Sequence, residues 1–399
     1  MRNHKRLLIL TSTFPRWKED EDPPFVYELC RHLKQHFDIH VLAPYYPGAR
    51  KEERFAGLYV TRYRYFFRPW ERLAYQGGIL ATLRQKPLQN IQVPFFLLAQ
   101  LFALIRLLRR YRFDLIHAHW LLPQGFIAVL ARLFIKSPPP LLCTSHGGDL
   151  FGLQGSLLNR IKRFVVSHST ALTVVSHALR DEVIKLGAQG DKVHVIPMGT
   201  DLQKLFVPPE TRTNNGSLLF VGRLVEKKGL RYLIDALPMI LKRHPHASLQ
   251  IAGDGPEKTA LARQVTELGL NDRVKFLGSM KKESLPQLYR SSDVVIFPSV
   301  IAEGGDREGF GLVLVEALGC ECATVTTDLP AMRDIIVDGK TGLVVPQKNV
   351  QKLARGVISL LDDPALRRKL GKEGRGYVVK RYDWDIIARQ YASLIDSIT

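Results

Sequence analysis

A chain of 399 residues with 46% hydrophobic and 24% charged side chains has ordinary globular composition and exceeds what one hydrophobic core usually supports. This excludes a disordered polyelectrolyte and points to two domains. The net charge of +19 is uneven: residues 50–112 alone carry 13 basic side chains against three acidic ones, a surface suited to phosphates or anionic lipid.

The opening MRNHKRLLILTSTFP has a basic end but too short an apolar run for a signal peptide, and it reads as a first strand. Cys30, Cys143, Cys320 and Cys322 form neither a CxxC pair nor a dense disulfide framework. They read as buried free thiols in a reducing compartment. The apolar stretch VPFFLLAQLFALI at 93–105 ends at Arg106, short of the ~20 residues that span a bilayer. A soluble or peripheral, cytoplasmic protein is expected.

Short apolar runs alternate with helical patterns in both halves, as in βαβ units around a parallel sheet. Strands are predicted at Leu7–Thr11, Ile39–Ala43, Leu115–Ala118, Leu141–Ser145, Ala171–Val175 and Val193–Ile196 in the first half. The second half supplies Leu218–Val221, Ser248–Ala252, Val274–Leu277, Val294–Phe297, Ala323–Thr326 and Gly342–Val345. The fold class is therefore α/β, with two Rossmann-like domains facing across a cleft at the carboxyl ends of their strands. The boundary is expected in FVPPETRTNNGS at 206–217, where prolines and an Asn-Asn-Gly run gather. The first domain then covers 1–205 and the second 206–381.

Three segments carry chemistry. In SHGGDL, His146 follows a strand and adjoins two glycines, with Asp149 placed to orient it or to cap the next helix. His117 and His119 in HAHW, and His177, read as structural. In GRLVEKKG, Arg223 and Lys228 occupy a loop after a strand, where they can neutralise a diphosphate. The sharpest signal is EGFGLVLVEAL, in which Glu308 precedes Gly309-Phe310-Gly311, a helix opens near Leu312, and Glu316 lies one turn in. Amides at that helix start can hold a diphosphate, and the carboxylates can take hydrogen bonds from sugar and ribose hydroxyls. No HExxH or Cys/His ligand spacing occurs, and no structural metal is expected.

These segments resemble the retaining GT-B glycosyltransferases of family four, the group 1 glycosyl transferases. The resemblance covers nearly the whole chain and includes IAGDGP at 251–256, VKFLGS at 274–279 and DGKTGLVVP at 338–346. It implies that Arg223 and Lys228 hold the donor diphosphate, that Glu308 meets the donor sugar and Glu316 the ribose, and that amides of Phe310, Gly311 and Leu312 contact sugar and phosphate. It implies a sugar-facing role for His146 and places the nucleobase near Met280. It also implies that the C-terminal helix, within 382–399, crosses back to complete the first domain. The donor is then a UDP- or GDP-sugar, no cofactor is needed, and two cations with a helix N-terminus make a divalent metal unnecessary for charge balance.

HAHWLLPQG at 117–125 and FPRWKEDEDPPFVYEL near the start resemble the subgroup that builds bacterial surface polysaccharides. The acceptor implied is a glycan or a lipid-linked sugar. Two positions depart from the family: Thr13-Phe14-Pro15-Arg16 stands where a glycine pair is common, and Met198 replaces the Asn of the linker motif.

Two other functions fit parts of the sequence. A sugar-nucleotide epimerase could use the same fold without transfer. A nucleic-acid-binding protein would explain the net charge and the aromatic-basic run YVTRYRYFFRPW at 59–70, but the basic excess avoids the second half and no nucleic-acid motif occurs, so no nucleic-acid partner is expected. Tyr63, Tyr65, Phe66, Phe67 and Trp70 lie among arginines, and Arg106, Arg109, Arg110 and Arg112 close the apolar helix. This suggests docking of 59–112 on the cytoplasmic face of the bacterial inner membrane, the alternative being a buried helix over Phe95–Leu108 and an internal strand at Tyr63–Phe67.

Overall fold

A computed structural model describes every residue except 1–3, 19, 21–24, 68–69, 76–77, 80–81, 84–85 and 212–214. Arg68, Asn214 and part of the FPRWKEDEDPPFVYEL segment lie outside the described residues. The chain forms two compact units, Met1–Pro197 with Ile387–Thr399, and Met198–Ile386.

In the first unit the strands are β1 Arg6–Leu10, β2 Asp38–Pro44, β3 Glu52–Phe55, β4 Leu58–Tyr63, β5 Leu115–His119, β6 Leu141–Ser145, β7 Ala171–Val174 and β8 Val193–Val195. They lie in the order β3-β4-β2-β1-β5-β6-β7-β8. All pairs are parallel except β3 with β4. Leu7 to Leu10 are all fully buried, as expected of a strand covered on both faces. The antiparallel β3–β4 edge was not predicted: EERF and LYVTRY carry charges that obscure alternation. It is held instead by Arg62, buried at 3% exposure, which donates to Glu53, the Arg50 carbonyl at 2.9 Å and the Pro15 carbonyl at 2.6 Å.

In the second unit, β9 Ser217–Val221, β10 Ser248–Ala252, β11 Val274–Gly278, β12 Val294–Phe297, β13 Ala323–Thr327 and β14 Leu343–Val345 form a parallel sheet. Their order is β11-β10-β9-β12-β13-β14. Helices Leu230–Arg243 and Val350–Asp362 close its core through Leu233, Ile234, Leu237, Leu353, Val357 and Leu360. The four cysteines are buried and form no disulfide.

The division at Pro197 and Met198 lies upstream of the expected 205/206, and hydrogen bonding explains it. Thr200 N–H donates to the Tyr382 carbonyl at 2.9 Å, Leu202 N–H to Asp383 at 3.2 Å, and Arg375 reaches the carbonyls of Leu202 and Phe206, each at 3.1 Å. Gly199 lies against the Trp384 ring, where a Cβ would stand 2.5 Å from the nearest ring carbon. The described part of the proline- and asparagine-rich stretch thus belongs to the second unit. The last helix, Trp384–Ile398, begins in the second unit and ends in the first, where Tyr391 lies 5.5 Å from the His117 ring and Lys5 pairs with Asp396 at 2.8 Å.

One helical run is longer than the sequence predicts. The 3-10 turn Pro87–Ile91 leads into the helix Gln92–Arg110, and together these 24 residues are long and apolar enough to cross a membrane by length and composition. Counting only from Val93 to Ile105 missed the turn at its start and Leu107-Leu108 at its end. Phe96 nonetheless packs on Tyr63 and Tyr65, with ring centroids 5.5 and 5.1 Å apart.

Candidate functional site

The second sheet grows outward in both directions from β9 and β12, so the loops that follow these two adjacent strands open at the point where strand order reverses. Open parallel sheets bind ligands there. Gly222-Arg223 follows β9, and the chain then makes the 3-10 turn Glu226–Lys228 before the helix Leu230–Arg243. The segment after β12 runs to the helix Leu312–Gly319.

Close backbone approach locks the two loops together. Val300 N–H donates to the Lys227 carbonyl at 2.8 Å, and Gly229 adopts φ +64 with its α-carbon so near Pro298 that a Cβ would stand 1.9 Å from the carbonyl oxygen. Only glycine fits this position.

This contact brings the predicted residues together. Lys228 Nζ lies 3.0 Å from Glu308 Oε2. Lys227, which sequence reasoning passed over, lies 3.7 Å from Glu308 and 3.2 Å from Asp306. The EKK run was its only signal. Arg223 is exposed in the same loop and makes no ion pair among the described residues. Two cations therefore share one half-buried carboxylate while a third stays open to solvent.

Phe310 is buried against Tyr382, with ring centroids 5.7 Å apart, and Gly311 lies so close to Met332 that a Cβ would stand 3.1 Å from its sulfur. These contacts fix the start of the helix Leu312–Gly319. The amides of Leu312 and Val313 open the helix and have no carbonyl partner within it. They are suited to an anion.

Glu316 lies one turn in, 4% exposed, and accepts a hydrogen bond from the Tyr289 hydroxyl at 3.3 Å. Burial pushes its carboxyl up to about 7, against the smaller lowering effects of Lys282 and the Tyr289 bond. A carboxylate in such a place gains from hydroxyl donors. Tyr289 carried no motif that would have revealed it. Met280 is 37% exposed after the edge strand β11, and among the described residues it makes no hydrogen bond to Glu308 or Glu316.

In the first unit the order reverses between β1 and β5. His146 follows β6, and its ring stacks on His119 at 5.3 Å with Nε2 3.0 Å from His119 Nδ1. Phe25 and Trp120 pack around it at 4.7 and 5.3 Å. Burial lowers the imidazole to about 3, so His146 is neutral at physiological pH. Burial also holds His117 at about 3 and His119 well below the usual range.

Among the described residues Asp149 makes no hydrogen bond to His146. Its carboxylate accepts from Leu121 N–H and from the Ser145 hydroxyl, both at 2.7 Å, and it is 2% exposed. It braces the backbone beyond β5 against the end of β6. The polar contact to His146 comes from His119; the alternation of HAHW, which puts His117 and His119 on one face, was the available signal. Arg16, in the loop after β1, is bound by Asp20 at 2.6 and 2.7 Å and lies over the Trp17, Tyr46 and Tyr75 rings at 4.6, 4.4 and 5.1 Å. These contacts hold Arg16 in place.

Two parallel-sheet units, one with paired cations and carboxylates at its switch point, define a transferase of the GT-B fold. Residues 203–377 match the family Glycosyl transferases group 1, and residues 24–204 match Glycosyltransferase Family 4. The chain belongs to this glycosyltransferase family. It is 30% identical over 297 residues to an uncharacterized glycosyltransferase of Methanocaldococcus jannaschii, covering 70% of this chain and 74% of that one. A glycogen synthase of Mycobacterium tuberculosis is 29% identical over 292 residues, 72% of this chain and 69% of its own length. Among solved structures, sucrose-phosphate synthase from Thermosynechococcus elongatus aligns with a TM-score of 0.78 at 22% identity, covering 99% of both chains. Anabaena HepE in complex with UDP gives 0.73 at 20% identity, covering 98% of this chain and all of that one. These two show the fold.

Proposed function

We propose that the enzyme transfers a sugar from a nucleoside-diphosphate sugar, UDP- or GDP-linked, to a glycan or lipid-linked acceptor in the synthesis of a bacterial surface polysaccharide or glycolipid, with retention at the anomeric carbon. The observation that carries the donor assignment is the Lys228–Glu308 pair beside the start of the helix Leu312–Gly319. Relatives support it: HepE was solved with UDP, and a 26% identical mannosyltransferase of Mycolicibacterium smegmatis is named as GDP-mannose-dependent.

In this reading Arg223, Lys228 and the amides of Leu312 and Val313 hold the diphosphate. Glu316 takes the ribose hydroxyls and Glu308 the sugar. The bond from the anomeric carbon to phosphate oxygen breaks, the acceptor oxygen bonds to that carbon on the same face, and its proton passes to the departing phosphate. Positive charge near the leaving oxygens lowers the barrier, which is electrostatic catalysis. His146 is assigned to the sugar on the resemblance, as a neutral hydrogen-bonding imidazole rather than a cation.

Catalysis without a divalent metal is part of the proposal, since the cations and the helix start supply the positive charge. Full transfer by EDTA-treated enzyme is expected; activity lost on chelation and restored by Mg²⁺ or Mn²⁺ would refute it. The donor assignment is tested by thermal shift with a panel of nucleoside diphosphates. One at a hundred times its dissociation constant stabilises by about 2.7 kcal/mol. No stabilisation by any of them, or an unchanged shift in Lys228→Ala, removes the assignment.

A further inference from the structure

The helix Gln92–Arg110 has two apolar faces, and the fold uses one. Phe96, Gln100, Leu104 and Leu107 are buried. On the other side Leu88, Ile91, Phe95, Leu98 and Phe102 recur at spacings of three and four, a continuous stripe along the turn and helix, and are 91%, 66%, 51%, 51% and 67% exposed. The stripe continues into a neighbouring loop, where Phe66 packs on Phe95 at 5.4 Å and on Phe67 at 5.4 Å, and Phe67 and Trp70 stand 77% and 65% exposed. Monomeric proteins rarely leave so large an apolar patch bare.

Charge selects the occupant. Between residues 64 and 112 the one carboxylate is Glu71, fully buried and paired with Arg64 at 3.1 Å. Arg72, Lys86, Arg106, Arg109 and Arg110 are exposed around the stripe. Beside Phe102 a groove of about 690 Å³ is lined by Lys51, Arg64, Arg106 and Arg110. Glu52 and Glu53 also line it, and Glu53 is taken by Arg62. An aromatic and aliphatic stripe rimmed by cations matches the boundary between acyl chains and anionic headgroups.

We propose that this face lies on the surface of an anionic lipid bilayer, with Phe95, Leu98, Phe102, Phe67 and Trp70 entering the interface and the arginines meeting headgroup phosphates. The helix lies in the plane of the surface, because its other face remains packed on Tyr63 and Tyr65. Those two tyrosines, expected from sequence among the lipid-facing aromatics, are both only 5% exposed and are not part of the face. The proposal is independent of the sugar chemistry and survives its failure.

The test is co-sedimentation of the full chain with vesicles of phosphatidylcholine alone and with about one third phosphatidylglycerol, at low salt. Strong recovery is expected with the anionic vesicles only. Arg106→Gln with Arg109→Gln should lower the partition coefficient about 30-fold, equivalent to about 1 kcal/mol per charge. Phe95→Ser with Phe102→Ser should abolish recovery while leaving the melting temperature within a degree or two, because both side chains are exposed. Equal recovery on the two vesicle types, or recovery unchanged by either pair, overturns the proposal. So does self-association of the wild type that the serine pair abolishes without any lipid binding, which would give the face to a second copy.

Discussion

At the scale of single residues, the two glutamates sit in different surroundings, and this separates their expected phenotypes. Glu308 is half-buried and already bears two lysines, whereas Glu316 is buried with one tyrosine hydroxyl. Glu316→Ala should weaken nucleoside-diphosphate binding by about 1.5–3 kcal/mol, the worth of a charged hydrogen bond. Glu308→Gln should chiefly lower kcat with donor Kd within a few-fold. Calorimetric titration beside steady-state kinetics separates these outcomes, and wild-type values for both variants would remove the donor-site reading.

The raised carboxyl of Glu316 gives this site a pH dependence of defined sign. Its native value of about 7 lies above the ordinary 4.5, so it binds a proton more tightly folded than unfolded. Its contribution to stability is full below about 4.5 and is lost as pH rises through about 7. On the proposed reading, donor binding runs the other way, because ribose hydroxyls bind the ionised carboxylate better. Affinity should therefore rise several-fold between about pH 6 and pH 8, and Glu316→Gln should flatten that rise by about the fraction ionised. The diphosphate's own titration is common to both proteins and cancels in the comparison. His146 contributes nothing in this window, being neutral throughout it.

Among the elements, the contact between the loops after β9 and β12 makes the site, and Gly229 makes the contact. Gly229→Ala forces a Cβ to within 1.9 Å of the Pro298 oxygen at a left-handed φ. The expected cost is about 2–4 kcal/mol, combining overpacking with the αL penalty. Nucleotide binding should fall with it, because Lys228 is the preceding residue. Gly304, where an added Cβ meets nothing within 4 Å, is the control, and Gly304→Ala should leave both properties unchanged. A destabilised Gly229→Ala protein with normal nucleotide affinity would show that this contact does not position Lys228.

Most of the strands were legible in sequence because buried parallel strands are unbroken apolar runs: RLLIL, VVIF and SLLFV announce themselves. The edge pair β3–β4 was not legible, since its order depends on Arg62 reaching backbone carbonyls far along the chain. The loop ahead of the helix Leu312–Gly319 was legible because glycine and charge sit at the spacings that a loop before a helix demands. Asp149 misled because proximity in sequence to His146 suggested a partnership, whereas the fold turns its carboxylate toward Leu121 and Ser145.

Across the whole molecule, the last helix divides its side chains between units. Ile387 and Ile395 are fully buried, and Tyr391 reaches Thr173 at 3.4 Å. Ile395→Ala should cost about 2–5 kcal/mol. Ile395 belongs to the first unit, so hydrogen exchange should quicken in β1 and β5 to β8 and stay unchanged in β9 to β14. Equal acceleration in both units would mean that they unfold as a single cooperative body. The expected 205/206 boundary missed this partition because Pro208, Pro209 and Asn215-Gly216 mark a turn, and turns occur within domains as well as between them.

The pairing of Lys228 with Glu308 also bears on what the proposed donor site would refuse. The ammonium is not idle without substrate, for the carboxylate 3.0 Å away is its counter-ion, with Lys227 sharing the same group. A bare inorganic anion that captures Lys228 leaves Glu308 with only Lys227, 3.7 Å away, so part of its gain is cancelled. A molecule that brings hydroxyl donors together with its phosphates gives both partners something in exchange. On the proposed donor reading, a ligand carrying hydroxyls with its phosphates is therefore expected to bind more tightly than phosphate or pyrophosphate alone, which competition thermal shifts would check.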